Sequence, residues 1–579
     1  MHETRMTKLK SRWKAIFETK KDIITAVVIL LFIFFNVLKI SLFNHMLVPD
    51  ADKWMLRYKF LKTFLVVLIT YPILFRFRSR ILFVSFYLLQ TLYILLNLGY
   101  YFYFQDYLHI EQVLSNFYEG FTAVRNASAP NNPLMAVVLI DLPFAIYLAL
   151  SWFRANRLRN KLKVLIYIVV LASLSTLIVT EYKQYKEKNF LTHISQNLYV
   201  GETRMVQRYG TLLNNAAILF NKKSMEEQIN SFEYGREQTN NEEADQKANI
   251  FMIQVESLDA SIVSQKHSGQ YVMPYLSSLT DKSVYYPYML SYHFAGSTSD
   301  CEFSVINSVE ALERYPSIKL TTYKSPNSFV TRLKQASYTT YAFHGNEGKF
   351  YDRNLAFRRF GFDEFYDMID MNLGHVGWGA PDADVFRFAL EKSKEITGPF
   401  LSYIITMTSH GPFNSASNYY NNSNYDDITD KKVKQYYNSM SYVDETIESF
   451  VQSVKKEYDN AYIFIFGDHT PKIDSSEYVQ ADVMMEDKIH EFVPLFIITP
   501  DNRAYRESKI VASFLDIAPT ALYASGISFS IRSDGSNLLE PGGEHEKIPH
   551  RHTRWDRTQL YEIITRVLKD RWQHVNKTD

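Results

Sequence analysis

The sequence predicts two unlike halves: an α-helical membrane domain of five transmembrane helices, followed by an α/β domain built on a mostly parallel sheet. Three observations carry this. Five long apolar runs crowd the residues up to 181. A polar stretch then separates them from the rest of the chain. Beyond it, short β-branched and aromatic runs alternate with helical stretches, the pattern of a parallel sheet covered by helices. The mean hydropathy of −0.18 averages the two halves. A length of 579 residues excludes a single soluble domain, and 47% hydrophobic with 15% aromatic residues excludes a disordered chain. With 63 Lys+Arg against 62 Asp+Glu there is no basic excess of the kind nucleic-acid binding needs. The single cysteine, Cys301, excludes an intramolecular disulfide framework and a Cys-based zinc cluster.

The apolar runs are 23–38, 63–75, 81–104, 134–153 and 164–180. About 20 residues span a bilayer, and core helices of soluble domains are rarely apolar on every face. Charge sets the orientation. Lys8, Lys10, Arg12, Lys14, Lys20 and Lys21 precede the first run, and Arg76, Arg78 and Arg80 separate the second from the third. Arg154, Arg157, Arg159, Lys161 and Lys163 separate the fourth from the fifth. If all five runs span, these clusters share one side. The expectation is therefore a multi-pass cell-membrane protein with a cytoplasmic N-terminus and an extracellular C-terminal domain. The first run is too long, and followed by too many others, to be a cleaved signal peptide. Asp141, inside the fourth run, is expected to mark a substrate path, to sit near the interface, or to bond a neighbouring helix. The stretch 107–124 is amphipathic enough to lie on the outer membrane surface.

The expected domains are 1–181 for the membrane, 182–247 for an extracellular linker with helical segments, 248–535 for the α/β domain, and 536–579 for a basic tail. Gly235, Arg236, Glu237, Asn240, Asn241, Glu242 and Glu243 mark the end of the linker. The tail, with His545, His550, Arg551, His552 and Arg554 and a helix over 559–573, reads as solvated.

Ligands of parallel α/β sheets bind beyond the carboxyl ends of the strands. The run 250–255 (IFMIQV) ends in Glu256, and 338–343 (YTTYAF) ends in His344. The run 400–407 (FLSYIITM) leads to Thr408, Ser409 and His410, and 462–466 (YIFIF) leads to Gly467, Asp468 and His469. Any one of these alone is an ordinary cap or surface residue; four strands delivering them to one rim are hard to explain as structure. Glu256, Asp468 and His469 offer two carboxylates and an imidazole, a set suited to manganese or zinc. His344 and His410 remain to hold an anionic oxygen or to protonate a leaving group. For a nucleophile there is Gly296-Ser297-Thr298-Ser299-Asp300, followed by a helix with Ser299 or Asp300 near its N-cap. A hydroxyl there, beside a divalent metal, loses its proton more easily. A plain capping box explains the segment as well.

The order VES, GSTSDCEF, FHGN, SHGPF and GDHTP resembles the lipoteichoic acid synthase group of membrane sulfatase-like enzymes, within the alkaline phosphatase superfamily. The resemblance covers the whole chain. It implies a sulfatase-like fold, with Glu256, Asp468 and His469 as metal ligands and Thr298 as both nucleophile and ligand. It also implies His344, His410 and Arg353 as phosphate contacts, with Tyr351 on the substrate wall, where close relatives commonly carry tryptophan. One manganese ion is implied, with zinc or magnesium as alternatives. The implied reaction moves glycerophosphate from phosphatidylglycerol, through a threonine-linked intermediate, onto a polyglycerolphosphate (lipoteichoic acid) chain or its glycolipid anchor. The partners are thus lipids and the membrane, not nucleic acid or nucleotide; no GxxxxGK[ST] is present. The rival in the same class is a phosphoethanolamine or phosphoglycerol transferase acting on another lipid or glycan. A sulfate-ester hydrolase lacks support, because Cys301 is followed by Glu302-Phe303-Ser304 rather than by a C-x-P-S-R signature. A transporter or receptor with a degenerate outer domain is opposed by the intact Glu256, Thr298, Asp468 and His469.

Overall fold

The computed structural model describes residues 19–47, 53–76, 79–104, 137–184 and 235–575, apart from 295, 314–315, 322, 487, 541, 543–545 and 552, together with residues 108 and 211. The chain divides into two compact units, one of residues 1–110 and 129–222, the other of residues 111–128 and 223–579.

In the first unit the helices are α1 (Lys20–Met46), α2 (Lys53–Arg76), α3 (Arg80–Phe104), α4 (Leu142–Leu150) and α5 (Trp152–Gln184). Thr19 starts α1 by accepting from the Asp22 amide at 3.2 Å. Among the described residues, three stretches are long and apolar enough to cross a membrane: Lys20–Met46, Arg80–Gly99 and Trp152–Val179. Phe60–Leu74 and Val137–Leu150 are shorter. Three of the five expected spans therefore meet the length on their own. The run 134–153 does not form one long helix. Its helix α4 has nine residues, about 14 Å at 1.5 Å per residue against about 30 Å of hydrocarbon. Asp141 is buried and bonds neighbouring helices, reaching Lys39 of α1 at 2.8 Å, Asn36 at 2.7 Å and Tyr87 of α3 at 2.8 Å. Apart from residue 108, the amphipathic stretch 107–124 falls outside the described residues, as do the basic residues Lys8 to Lys14 and most of the linker.

The second unit is a three-layer sandwich. Apart from a short hairpin of Lys266–His267 with Gln270–Tyr271, its strands are β1 (Arg236–Asn240), β2 (Asn249–Val255), β3 (Val284–Leu290), β4 (Thr339–His344), β5 (Glu364–Tyr366), β6 (Phe400–Ile405) and β7 (Ala461–Gly467). There follow β8 (Asp482–Met485), β9 (Lys488–Ile498), β10 (Tyr505–Arg506), β11 (Ala512–Ser513), β12 (Phe529–Ser533), β13 (Lys547–His550) and β14 (Thr553–Asp556). The main sheet has the order β10-β3-β9-β7-β2-β6-β4-β5, with β8 on β9 and β11 on β3. From β7 to β5 all pairings are parallel. β9 runs antiparallel to both β7 and β3, so β3 points the same way as the centre.

Strands buried on both faces read as continuous apolar runs, and β2 shows why. Its Ile250 and Met252 enter one core with Phe303 of α6 (Thr298–Asn307), Phe357 of α7 (Arg353–Phe360) and Leu522. Its Phe251, Ile253 and Val255 enter the opposite core with Phe386 of α8 (Asp382–Lys394) and Phe450 of α9 (Lys431–Glu457). Leu522 belongs to α10 (Ile517–Ser525).

Two expectations about the flanks are corrected. Residues 236–240, expected to end a linker, form β1 and pair antiparallel with β12. Gly235 approaches so closely that a Cβ would stand 2.1 Å from the Ser533 carbonyl carbon. The expected solvated tail is part of the fold. Here β13 pairs with β14, and α11 (Arg557–Val575) buries Leu560, Ile564 and Leu568 with Leu290, Phe492 and Ile548. The spacing of four puts those three on one helix face. His550 is buried against His490 and Tyr292, while His545 and His552 lie outside the described residues. Arg557, 1% exposed, holds Asp516 with two bonds of 2.8 and 2.7 Å. Removing one partner strands a buried charge, so Arg557→Ala is expected to destabilise this unit by about 3–5 kcal/mol. Denaturant unfolding checks it, and an unchanged midpoint contradicts it.

Candidate active site

Parallel register brings the strand ends together. Val255 faces Gly467 across β2 and β7, while Ile405 faces Gln254 on one side and His344 on the other. The residues that follow therefore meet at one rim, as the strand-end reading expects. The Glu256, Asp468 and His469 donor atoms all lie within 4.8 Å of one another, and all three residues are buried. Thr298 joins them. Its hydroxyl donates to Glu256 Oε2 at 2.9 Å and stands 3.5 Å from His469 Nε2, which is itself 3.2 Å from Glu256 Oε1.

The turn that presents Thr298 is not the one the side chains suggest. Ser297, not Ser299 or Asp300, occupies the N-cap of α6, with φ 53° and ψ −132° and no capping bond from its side chain. The Asp300 Oδ2 accepts from the Phe294 and Gly296 amides at 3.0 and 2.8 Å, and the Ser299 hydroxyl donates back to the Gly296 carbonyl at 2.7 Å. Gly296 is required: a Cβ there would meet Asp300 Oδ1 at 2.2 Å. The result is Thr298 at the first position of the helix, where backbone N–H groups point outward and favour negative charge.

The electrostatics suit a cation. Burial raises the pKa of Asp468 first, and the neighbouring Glu256 raises it further. Burial works against ionised Glu256 too, but His469 and His410 hold it below the usual carboxylate range. Burial opposes charge on His469, yet Asp468 and Glu256 outweigh it and raise its pKa to about 10. One oxygen of Asp468 is anchored by the Ser257 and His469 amides at 2.8 and 2.7 Å. The other, Oδ2, is buried without a hydrogen-bond partner. A buried oxygen left unbonded costs stability unless something positive completes it. His469 donates from Nδ1 to the Thr470 carbonyl at 2.8 Å, which leaves Nε2 turned to the carboxylates. Two carboxylate oxygens, an imidazole nitrogen and a hydroxyl fit manganese, zinc or magnesium.

The remaining expected residues surround this group. His344 is buried, which together with the charge of Arg353 lowers its pKa. His410 donates from Nδ1 to the Gly411 carbonyl at 2.7 Å and lies against Trp378, with ring centroids 4.4 Å apart. Arg353 is buried, and its Nε and Nη2 bond Glu302 at 2.7–3.0 Å. Tyr351, at φ 59°, lies 5.5 Å from the Arg353 guanidinium. The sequence reading missed Glu302 and Trp378. It also missed His293 and Glu491, whose imidazole and carboxylate meet at 3.0 Å beside His469. The YHFAG segment ahead of Ser297 was the available signal for His293.

Residues 248–527 match the sulfatase family model. Lipoteichoic acid synthase 2 of Bacillus subtilis (strain 168) is 29% identical over 322 residues, 52% of this chain and 49% of that protein. The lipoteichoic acid synthase of Staphylococcus aureus (strain USA300) is 28% identical over 326 residues, 53% of this chain and 49% of its own length. The chain thus spans about half the length of the curated relatives it matches. Among solved structures, the integral membrane protein lipooligosaccharide phosphoethanolamine transferase A (EptA) from Neisseria meningitidis shares the fold. Its TM-score is 0.56 at 13% identity, over 86% of this chain and 95% of that one.

Proposed function

The chain is a lipoteichoic acid synthase-like protein carrying a sulfatase-family domain, and on that premise we propose that it is a phosphoglycerol transferase. Its donor is phosphatidylglycerol and its acceptor a polyglycerolphosphate chain or glycolipid anchor at the membrane. One observation carries the reading: the Thr298 hydroxyl, at the mouth of a ten-residue helix, is bonded at 2.9 Å to a carboxylate of the buried Glu256, Asp468 and His469 group.

Glu256, Asp468, His469 and Thr298 would hold the divalent ion, with manganese the metal the family resemblance names. Bound there, it supplies Lewis-acid charge that makes the Thr298 hydroxyl more acidic and offsets charge at phosphorus. Glu256 Oε2 aims that hydroxyl, and the N-terminal amides of α6 favour the negative charge it acquires. Thr298 Oγ1 attacks phosphorus, the bond to diacylglycerol breaks, and the departing alcohol carries away the proton that threonine gave up. A glycerol hydroxyl of the acceptor then attacks the phosphothreonine, and threonine regains a proton. His344, His410 and Arg353 hold the non-bridging oxygens, with Glu302 fixing the guanidinium. Tyr351, beside the Arg353 guanidinium, supplies the aromatic wall, and the buried Trp378 backs the His410 ring. The basic clusters support a cytoplasmic N-terminus and an extracellular catalytic domain.

The test is full-length protein in vesicles with headgroup-labelled phosphatidylglycerol, with and without a glycolipid acceptor. Diacylglycerol and label on the acceptor are the expected products. Consumption of phosphatidylethanolamine with phosphatidylglycerol untouched would replace this reading by phosphoethanolamine transfer.

A further inference from the structure

Beside Thr298 the structure holds a second ordered relay that phosphoglycerol transfer does not use. Glu491, on β9, receives His293 Nδ1 at 3.0 and 3.1 Å on its two oxygens. His293 Nε2 in turn lies 3.3 Å from the Ser297 hydroxyl. With the Nδ1 proton given to the carboxylate, Nε2 is left to accept from that hydroxyl. Carboxylate, imidazole and hydroxyl thus stand in the order that activates a serine.

The backbone matches the side chains. Ser297 stands between β3 and α6 at φ 53° and ψ −132°, a conformation that costs energy in a residue with a Cβ. The strand ends earlier, at Leu290, but as in a nucleophile elbow the strained serine stands at the head of a helix, with the amide of the next residue beside its hydroxyl. Here that amide belongs to Thr298, whose N–H opens the helix and has no intrahelical acceptor. Ser297 is half-buried, while the His293 and Glu491 side chains are 7% and 9% exposed, so the relay is shielded and its hydroxyl reachable. The dyad is well fixed. Glu491 also accepts from the Thr470 amide at 2.9 Å, its carbonyl takes the Ser291 amide at 3.0 Å, and the His293 ring stacks on His469 at 4.2 Å. His293, Glu491 and His469 are close enough to share a cation. However, both Glu491 oxygens face His293 Nδ1, and His469 Nε2 is turned to Glu256 and Thr298, which favours the hydrogen-bonded relay.

We propose that Ser297, His293 and Glu491 form a second nucleophilic site, one that takes carboxylic esters and phosphonyl electrophiles and needs no metal. With an ester, Ser297 Oγ bonds to the acyl carbon and its proton passes to His293 Nε2. That proton leaves on the alcohol oxygen as the C–O bond breaks. Water then attacks the acyl-serine by the same route, releasing a carboxylic acid and restoring the hydroxyl. With a fluorophosphonate the Oγ–P bond forms, fluoride departs, and the adduct stays.

The experiment treats the full-length protein in detergent with a tagged fluorophosphonate and maps the label by peptide mass spectrometry. The label is expected on Ser297, both with EDTA and in Thr298→Ala. It should be absent in Ser297→Ala and slowed about 100-fold or more in His293→Gln, as expected when a general base is lost. Glu491→Gln provides the same reading should His293→Gln fail to fold, with matched melting curves required of each variant. Hydrolysis of p-nitrophenyl butyrate should follow the labelling. A label confined to Thr298, no label on the folded wild type, or full-rate labelling in both dyad variants would overturn the proposal. None of these outcomes bears on lipid transfer, which is read from diacylglycerol.

Discussion

Thr298→Ala is expected to abolish diacylglycerol release from phosphatidylglycerol, a loss of about 10³-fold or more, or roughly 4 kcal/mol and upward of transition-state stabilisation. Ser299 cannot substitute for it. Ser299 is buried and spends its proton on the Gly296 carbonyl, so Ser299→Ala should retain substantial turnover. Two-step transfer also requires a glycerophosphoryl adduct on the peptide containing Thr298 when donor is supplied without acceptor, and mass spectrometry reads that added mass. Near-normal diacylglycerol release from Thr298→Ala, or an adduct on Ser297 or Ser299, would reject the assignment. Absence of any adduct, with Thr298→Ala still inactive, would favour single-step transfer.

Glu256→Ala, Asp468→Ala and His469→Ala should each lose bound metal and activity together while remaining folded. Each side chain offers one donor to a group within 4.8 Å, so one removal leaves an incomplete set. Asp468→Ala is the most informative. It removes Oδ2, the buried oxygen without a hydrogen-bond partner, along with Oδ1, which orders the amides of Ser257 and His469. Asp468→Asn keeps the anchoring oxygen and the shape but not the charge, so it separates metal loss from loop disorder. Elemental analysis of the purified variants decides; full occupancy in all three alanine variants would mean the ligands lie elsewhere.

How much of this was legible beforehand depended on where the information sits. The central strands could be read because burial on both faces makes them apolar throughout, and parallel pairing then fixes where Glu256, His344, His410 and Asp468 emerge. Local backbone was less readable. Asp300 looks like a cap in the sequence, but its carboxylate turns back to hold Phe294 and Gly296, and the positive φ of Ser297 is written in no residue type. Partners far apart in the chain were invisible: Glu302 fixes Arg353 and Glu491 fixes His293, pairs that only the fold brings together. β1 was missed because REQTN has no apolar alternation and joins by its backbone alone. The helix α11 was expected over 559–573, but its burial was not, because the arginines and histidines ahead of it masked a stripe of Leu560, Ile564 and Leu568. The run 134–153 is apolar at almost every position, which conceals the break at Ser151 between α4 and α5.

The position of β3 in the sheet has a consequence for how the molecule is made. This strand leads directly to His293, Ser297 and Thr298, yet its neighbours are β9, β10 and β11, whose residues follow it by some two hundred positions. During synthesis the nucleophile's strand waits without a partner while most of the domain is produced. Such long-range pairing slows folding and leaves an open edge exposed. A chain halted at residue 480 would already carry Glu256, Thr298, Asp468 and His469 but would lack every sheet neighbour of β3, the strand that leads into the Thr298 turn. Readiness for chemistry is therefore among the last properties the growing polypeptide acquires.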